Sequence, residues 1–166
     1  MDLTHVETEV LALGDALRRR GWHMATAESC TGGLIAAACT TVAGSSDWFE
    51  RGFVTYSNAA KTEMLGVDAA LITSQGAVSE AVARAMAVGA VERAGVALAV
   101  AVTGIAGPGG ATRGKPVGLV WLALATRGSA GGVQVQAERL QLAGDRGAVR
   151  EQTVWLALRR LREAAG

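Results

Sequence analysis

Apolar residues recur at Val6, Val10, Leu13 and Leu17, steps that place all of them on one face of a helix. Thr4 and Glu7 have capping-box spacing for its start, and Gly21 predicts its end. His23 to Glu28 reads as a short strand and Thr31-Gly32-Gly33 as a turn. Leu34, Ile35, Ala38 and Val42 give the inner face of a second helix, broken by Gly44-Ser45-Ser46-Asp47. Trp48 to Tyr56 reads as extended, with Phe49, Phe53 and Val54 supplying bulk, and Ser57-Asn58 caps a short helix running to Gly66. Ser79 caps a further helix that buries Val82, Met86 and Ala90 and stops at Gly95.

The second half of the chain changes character. Val96 to Val102 is a continuous apolar run, the mark of a strand covered on both faces. Gly104 to Gly118 is a Gly-rich loop holding both prolines, and Val117 to Thr126 is a second apolar strand overlapping its end. Val133, Val135 and Ala137 alternate, as do Leu140 and Leu142, but the phase slips by one between the two groups, which predicts a bulge or bend. Asp145 caps a last helix with Val154, Leu158 and Leu161 inward. Helices alternate with strands without a repeat or a linker. The expected fold is therefore α/β, a single three-layer α/β/α sandwich over residues 1–166. Its central sheet is mostly parallel or mixed, with the strand after Gly132 at an edge.

Composition narrows the function classes. Half of the 166 residues are hydrophobic but only 4% are aromatic, so the core is built largely of Ala and Val, which suits close helix–sheet packing. Sixteen basic against fifteen acidic residues leave a net charge of +1, which excludes an electrostatically driven nucleic-acid binder. Arg18-Arg19-Arg20 and Arg159-Arg160 sit near predicted helix C-termini, where they complement the dipole. Cys30 and Cys39 form neither a disulfide framework nor a metal-ligand spacing, and no cofactor or metal is expected. The charged, amphipathic start does not read as a secretory signal, and no apolar run approaches the roughly 18 residues of a membrane span. A cytoplasmic protein with a small-molecule partner is expected. Trp48-Phe49 would suit either a homodimer patch or an ordinary buried tryptophan.

Three segments carry candidate chemistry. Glu28-Ser29-Cys30-Thr31-Gly32-Gly33 lies where a strand gives way to a helix. A nucleophilic Ser29 there would sit beside unpaired N–H groups able to hold an oxyanion; alternatively Ser29 or Thr31 is only a helix cap. Cys30 is a rival nucleophile. Lys61 is odd in the first turn of a helix capped by Asn58, because the dipole there disfavours a cation. The same dipole and burial would lower its pKa and make it a base for a serine, while an exposed lysine tolerated at small cost fits the position equally well. Tyr56 is close enough in sequence to orient that site, or is an ordinary half-buried residue. Thr103-Gly104-Ile105-Ala106-Gly107-Pro108-Gly109-Gly110 follows the most buried-looking strand and could offer N–H groups to a phosphate, with Lys115 and Arg146 as added charges; a plain connecting loop with Arg146 as a surface charge fits the pattern equally well. His5 and His23 suggest structural or surface roles.

Taken in order, these stretches resemble the CinA C-terminal domain family, whose stand-alone members are nicotinamide-nucleotide amidases. The resemblance is carried by TAESCTGGLIA at Thr26–Ala36, GSSDWFERGFVTYSNAAK at Gly44–Lys61 and GAVSE at Gly76–Glu80. It continues through VTGIAGPGG at Val102–Gly110, KPVGLVW at Lys115–Trp121 and GDR at Gly144–Arg146. It implies a three-layer α/β/α fold and hydrolysis of nicotinamide mononucleotide to nicotinic acid mononucleotide and ammonia, without a cofactor. It implies Ser29 as nucleophile and Lys61 as general base, with Tyr56 and Thr103 lining the same pocket. Cys30, Thr31, Gly32, Gly33, Asn58, Gly104, Ile105, Ala106, Gly107 and Arg146 are then the expected substrate contacts. The alternative from another class is a non-catalytic nucleotide- or partner-binding member of the same fold.

Overall fold

The computed structural model describes residues 6–166. Five strands form one mixed sheet in the order β2-β1-β3-β4-β5. β1 (Met24–Glu28), β2 (Phe49–Val54) and β3 (Leu98–Gly104) run parallel, and β4 (Leu119–Arg127) and β5 (Val133–Gln141) complete the sheet as antiparallel strands. On one face lie α1 (Glu7–Arg20), α2 (Leu34–Cys39) and α6 (Arg146–Ala165). The other face carries α5 (Glu80–Ala94), with α3 (Asn58–Leu65) and α4 (Ala69–Gln75) packed beside it. This is the expected three-layer α/β/α arrangement. Each face has its own core, one around Leu13, Val100 and Leu158, the other around Ala99, Met86 and Val82.

The chain leaves β1 toward β2 on one side and returns to β3 on the other, so β1 is the switch point of the sheet. In open α/β sheets the crevice at such a point, outside the strand carboxyl ends, collects ligands. Residues just after β1, β2 and β3 therefore converge there.

Most elements follow the periodicities. α1 buries Val10, Leu13 and Leu17 and ends at Gly21, whose φ of 62° is the left-handed conformation that glycine adopts without strain. Thr4 and His5 lie outside the described residues. Ser79 and Asp145 cap α5 and α6 as expected, accepting hydrogen bonds from Val82 N and Ala148 N.

Four local expectations are corrected. α2 ends at Cys39, short of Val42, because the Thr40 and Thr41 hydroxyls take the last carbonyls of the helix. The cap of α3 is Ser57, whose hydroxyl accepts from Ala60 N, so Asn58 is the first helical residue. α4, capped by Asp68, has no counterpart in the sequence reading. β5 has no bulge: its pairing with β4 runs unbroken from Arg127–Val133 to Leu119–Gln141. The phase slip has another cause. Val133, Val135 and Ala137 face the α5 layer, whereas Leu140 and Leu142 pack into the α1/α6 layer, so the strand changes which face is apolar. Trp48 is wholly buried, with its indole beneath Gly14, the ordinary buried tryptophan that was one of the two expected readings.

Gly89 sets how closely α3 approaches α5. A Cβ there would fall 2.1 Å from the Leu65 carbonyl oxygen at the end of α3. Gly89→Ala must push the two helices apart, and a loss of about 1–3 kcal/mol is expected in a denaturant melt, the usual cost of overpacking.

Candidate active site

Lys61 reaches the switch point from α3. The side chain is 1% exposed, and its Nζ lies 3.1 Å from Ser29 Oγ. The same nitrogen donates to the carbonyls of Thr55 at 2.8 Å and Tyr56 at 3.5 Å, the residues that link β2 to α3. None of these partners is a carboxylate. Burial holds the amine below the ordinary lysine range. A neutral amine has two N–H bonds and one lone pair. The three partners of Lys61 Nζ, two carbonyls and the Ser29 hydroxyl, suit the three N–H donors of the charged form; in the neutral form the lone pair can take the place of the N–H that faces Ser29 Oγ.

Ser29 is the first residue after β1. Its N–H donates to Val102 O on β3, and its own carbonyl accepts from Gly32 N, each at 3.1 Å. The turn beyond it requires its glycines, because Gly32 and Gly33 sit at φ 62° and 96°. Thr31 is fully buried, and its carbonyl accepts from Arg150 of α6 at 2.9 Å. Burial pushes the Cys30 thiol up to about 11, with the nearby Glu28 charge adding to the effect. Such a thiol is protonated at neutral pH and a poor nucleophile.

Glu28 was not singled out by the sequence reading. It is fully buried, and its carboxylate accepts from the hydroxyls of Thr26 and Thr31 and from the N–H groups of Gly33, Ile35 and Ala36. The expected set of oxyanion donors is narrower as a result. Gly32 and Gly33 have their N–H groups engaged by Ser29 O and Glu28, so they contribute shape rather than donors. Among the described residues, the N–H groups of Cys30 and Thr31 have no acceptor outside their own residue.

The remaining expected contacts separate into two groups. Arg146, the first residue of α6, donates to Gly107 O at 3.0 Å and to the Tyr56 hydroxyl at 3.1 Å. It thereby ties the Gly-rich loop to the 60%-exposed Tyr56. Beside it a cavity of about 560 Å³ is lined by Ala106, Pro108, Val117 and the start of α6. Ile105 cannot offer its N–H to a phosphate, because Leu119 O takes it at 2.8 Å, and Gly104 sits opposite Val120 at the end of β3. Thr103 is buried at the end of β3, and its hydroxyl donates to Ala77 O at 2.9 Å. Lys115 is likewise engaged, with Nζ 2.7 Å from Gln75 O. Asn58 lines a groove between α3 and α4 whose walls include neither Ser29 nor Lys61. Arg150, like Glu28, was missed; its position one helical turn after Arg146 was the available signal.

Fold and site together define an α/β protein with a buried serine–lysine pair at the carboxyl ends of its parallel strands. The chain belongs to the CinA C-terminal domain family, whose sequence pattern matches residues 6–165. It is 53% identical over 153 residues to the nicotinamide-nucleotide amidohydrolase PncC of Pseudomonas putida, covering 92% of each chain. It is 54% identical over 160 residues to a putative competence-damage inducible protein of Symbiobacterium thermophilum. That match takes in 94% of this chain but only 38% of the longer relative. The crystal structure of competence/damage inducible protein CihA from Agrobacterium tumefaciens superposes with a TM-score of 0.89 at 46% identity, covering 96% of this chain and 94% of that one. Among the described residues no helix is long and apolar enough to cross a membrane.

Proposed function

We propose that this chain is an amidohydrolase that converts nicotinamide mononucleotide and water to nicotinic acid mononucleotide and ammonia, serving pyridine-nucleotide salvage. The observation that carries the chemistry is the 3.1 Å approach of a buried, carboxylate-free Lys61 amine to Ser29 Oγ. The choice of substrate rests on the likeness to the PncC amidohydrolases. Two buried free cysteines suit a reducing, cytoplasmic setting.

In this reading neutral Lys61 takes the Ser29 proton as Oγ attacks the carboxamide carbon. The cationic pyridinium ring withdraws electrons from that carbon and favours attack. The tetrahedral oxyanion is held by the N–H groups of Cys30 and Thr31. Charged Lys61 then returns its proton to the amide nitrogen, the C–N bond breaks and ammonia leaves. Lys61, neutral again, deprotonates a water that cleaves the acyl-enzyme, releasing the acid and restoring the Ser29 hydroxyl. Arg146, with Tyr56 and the Ala106–Gly107 part of the Gly-rich loop, seats the nucleotide phosphate beside the cavity next to α6. Thr103 acts through its bond to Ala77, fixing the loop before α5 at the pocket wall. No step uses a cofactor.

The test is ammonia release from nicotinamide mononucleotide, with free nicotinamide alongside. Turnover of the nucleotide and little of the free amide is expected; binding without ammonia would contradict the proposal. A thiol-alkylating reagent at neutral pH is expected to leave turnover unchanged and Cys30 unlabelled. Loss of activity in step with Cys30 labelling would move the nucleophile to the thiol.

A further inference from the structure

Glu28 is a buried carboxylate with no cation among its hydrogen-bond partners. One oxygen accepts from Thr26 Oγ1 at 3.1 Å and Ala36 N at 2.8 Å. The other accepts from Thr31 Oγ1 at 2.7 Å, Gly33 N at 3.1 Å and Ile35 N at 3.0 Å. Burying an ionised group without such donors would be prohibitive, so five donors turned on one carboxylate make a rigid arrangement. All but Thr26 lie ahead of Glu28 in the chain. The side chain therefore loops forward over Ser29 and Cys30 and closes the segment from residue 28 to residue 36 on itself.

That closure sorts the N–H groups around Ser29. Gly33, Ile35 and Ala36 point theirs inward at the carboxylate, and Gly32 at the Ser29 carbonyl. Among the described residues Cys30, Thr31 and Leu34 are left over, and of these only Cys30 and Thr31 directly follow Ser29. A short helix start would ordinarily leave its first donors open to water, where they would compete to solvate any anion and would lack a fixed direction. A preorganised oxyanion site needs the opposite: few donors, fixed in place before the charge develops.

We propose that Glu28 is the positioning residue of the oxyanion site: it does not touch substrate, but by holding the turn it fixes Ser29 and aims the Cys30 and Thr31 N–H groups. This rests on the reading of Ser29 as nucleophile. Glu28 is separate from the base, because the Lys61 amine bonds to Ser29, Thr55 and Tyr56 and not to this carboxylate.

The experiment is Glu28→Gln, assayed for ammonia release from nicotinamide mononucleotide beside the parent and Ser29→Ala. Glutamine keeps the shape but sets an NH2 against backbone N–H groups that cannot turn away. The expected result is a kcat lower by about 100-fold, the size of losing one oxyanion donor. KM should change by no more than a few-fold, and the acid limb of the pH profile, which belongs to Lys61, should not move. A folded Glu28→Gln enzyme with parental kcat, or a loss carried only by KM, overturns the proposal. If Glu28→Gln does not fold, Thr31→Val serves, since it removes the 2.7 Å hydroxyl bond and keeps every N–H. It is expected to lower kcat about tenfold at unchanged KM, about the worth of one charged hydrogen bond; parental kcat again overturns the proposal. Turnover surviving in Ser29→Ala would instead defeat the nucleophile reading itself, so the two failures are distinguishable.

Discussion

Ser29→Ala is expected to lower ammonia release by about a thousandfold or more, leaving only what binding and the N–H donors supply without a nucleophile. The fold should survive. Ser29 is held by its main chain, through Val102 O and Gly32 N, and among the described residues its hydroxyl has only Lys61 as partner. Removing the hydroxyl strands no other group except the Lys61 lone pair, which can accept from water. Circular dichroism and a thermal melt would establish that the variant is folded. Nicotinamide mononucleotide should still bind, because the groups assigned to the phosphate are Arg146, Tyr56 and the Gly-rich loop. A folded Ser29→Ala with parental turnover would remove the centre of the mechanism.

Lys61→Met carries the second large effect. Methionine roughly keeps the length and apolar stem while removing the amine, so the buried volume stays filled and the base is lost. A fall in kcat of at least about a hundredfold is expected, the lower range for a general base. The pH dependence gives the sharper signature. The lysine is held below its ordinary range by burial, and the reaction needs its neutral form. As pH falls through that lowered pKa the amine gains a proton and kcat/KM falls, by about tenfold per unit; above it the rate reaches a plateau. In Lys61→Met the small remaining rate should lack that limb. A Lys61→Met enzyme that keeps both the rate and the limb would show that another group titrates.

The layers of this fold were legible because helices such as α1 bury one stripe and the central strand β3 opens with an unbroken apolar run from Leu98 to Val102. What the pattern could not carry was the meaning of β5. An alternation that changes phase looks the same whether the strand bulges or changes which layer it feeds, and only the unbroken pairing with β4 separates the two. α4 escaped because seven residues contain too few turns for a periodicity to stand out. The order of strands depends on contacts between residues far apart in sequence, and no local signal encodes it.

The site divides in the same way. Ser29 and Lys61 were legible as residues out of place, one at a strand end and one in a first helical turn, but nothing local joins them across thirty-two positions. The fold joins them, since β1 and the segment after β2 end side by side. Glu28 was overlooked because a glutamate at the end of a strand reads as solvent-facing, and its burial depends on donors that exist only once α2 has formed. Conversely, Ile105 and Asn58 looked available in sequence. The N–H of Ile105 is taken by Leu119, and Asn58 faces a different groove.

The most direct test of an acyl-enzyme on Ser29 is how its product divides between water and an added nucleophile. The enzyme is given hydroxylamine with nicotinamide mononucleotide, and separately with the methyl ester of nicotinic acid mononucleotide. The ratio of hydroxamate to acid is measured for each. Both substrates should form the same acyl-Ser29 ester, so the same ratio is expected from both once the uncatalysed reaction of hydroxylamine with the ester is subtracted, and enzyme-dependent formation of either product should fall about a thousandfold in Ser29→Ala. A ratio that differs between amide and ester, or acid formed from the amide with no hydroxamate at any hydroxylamine concentration, would mean that water attacks the amide directly and would contradict the account.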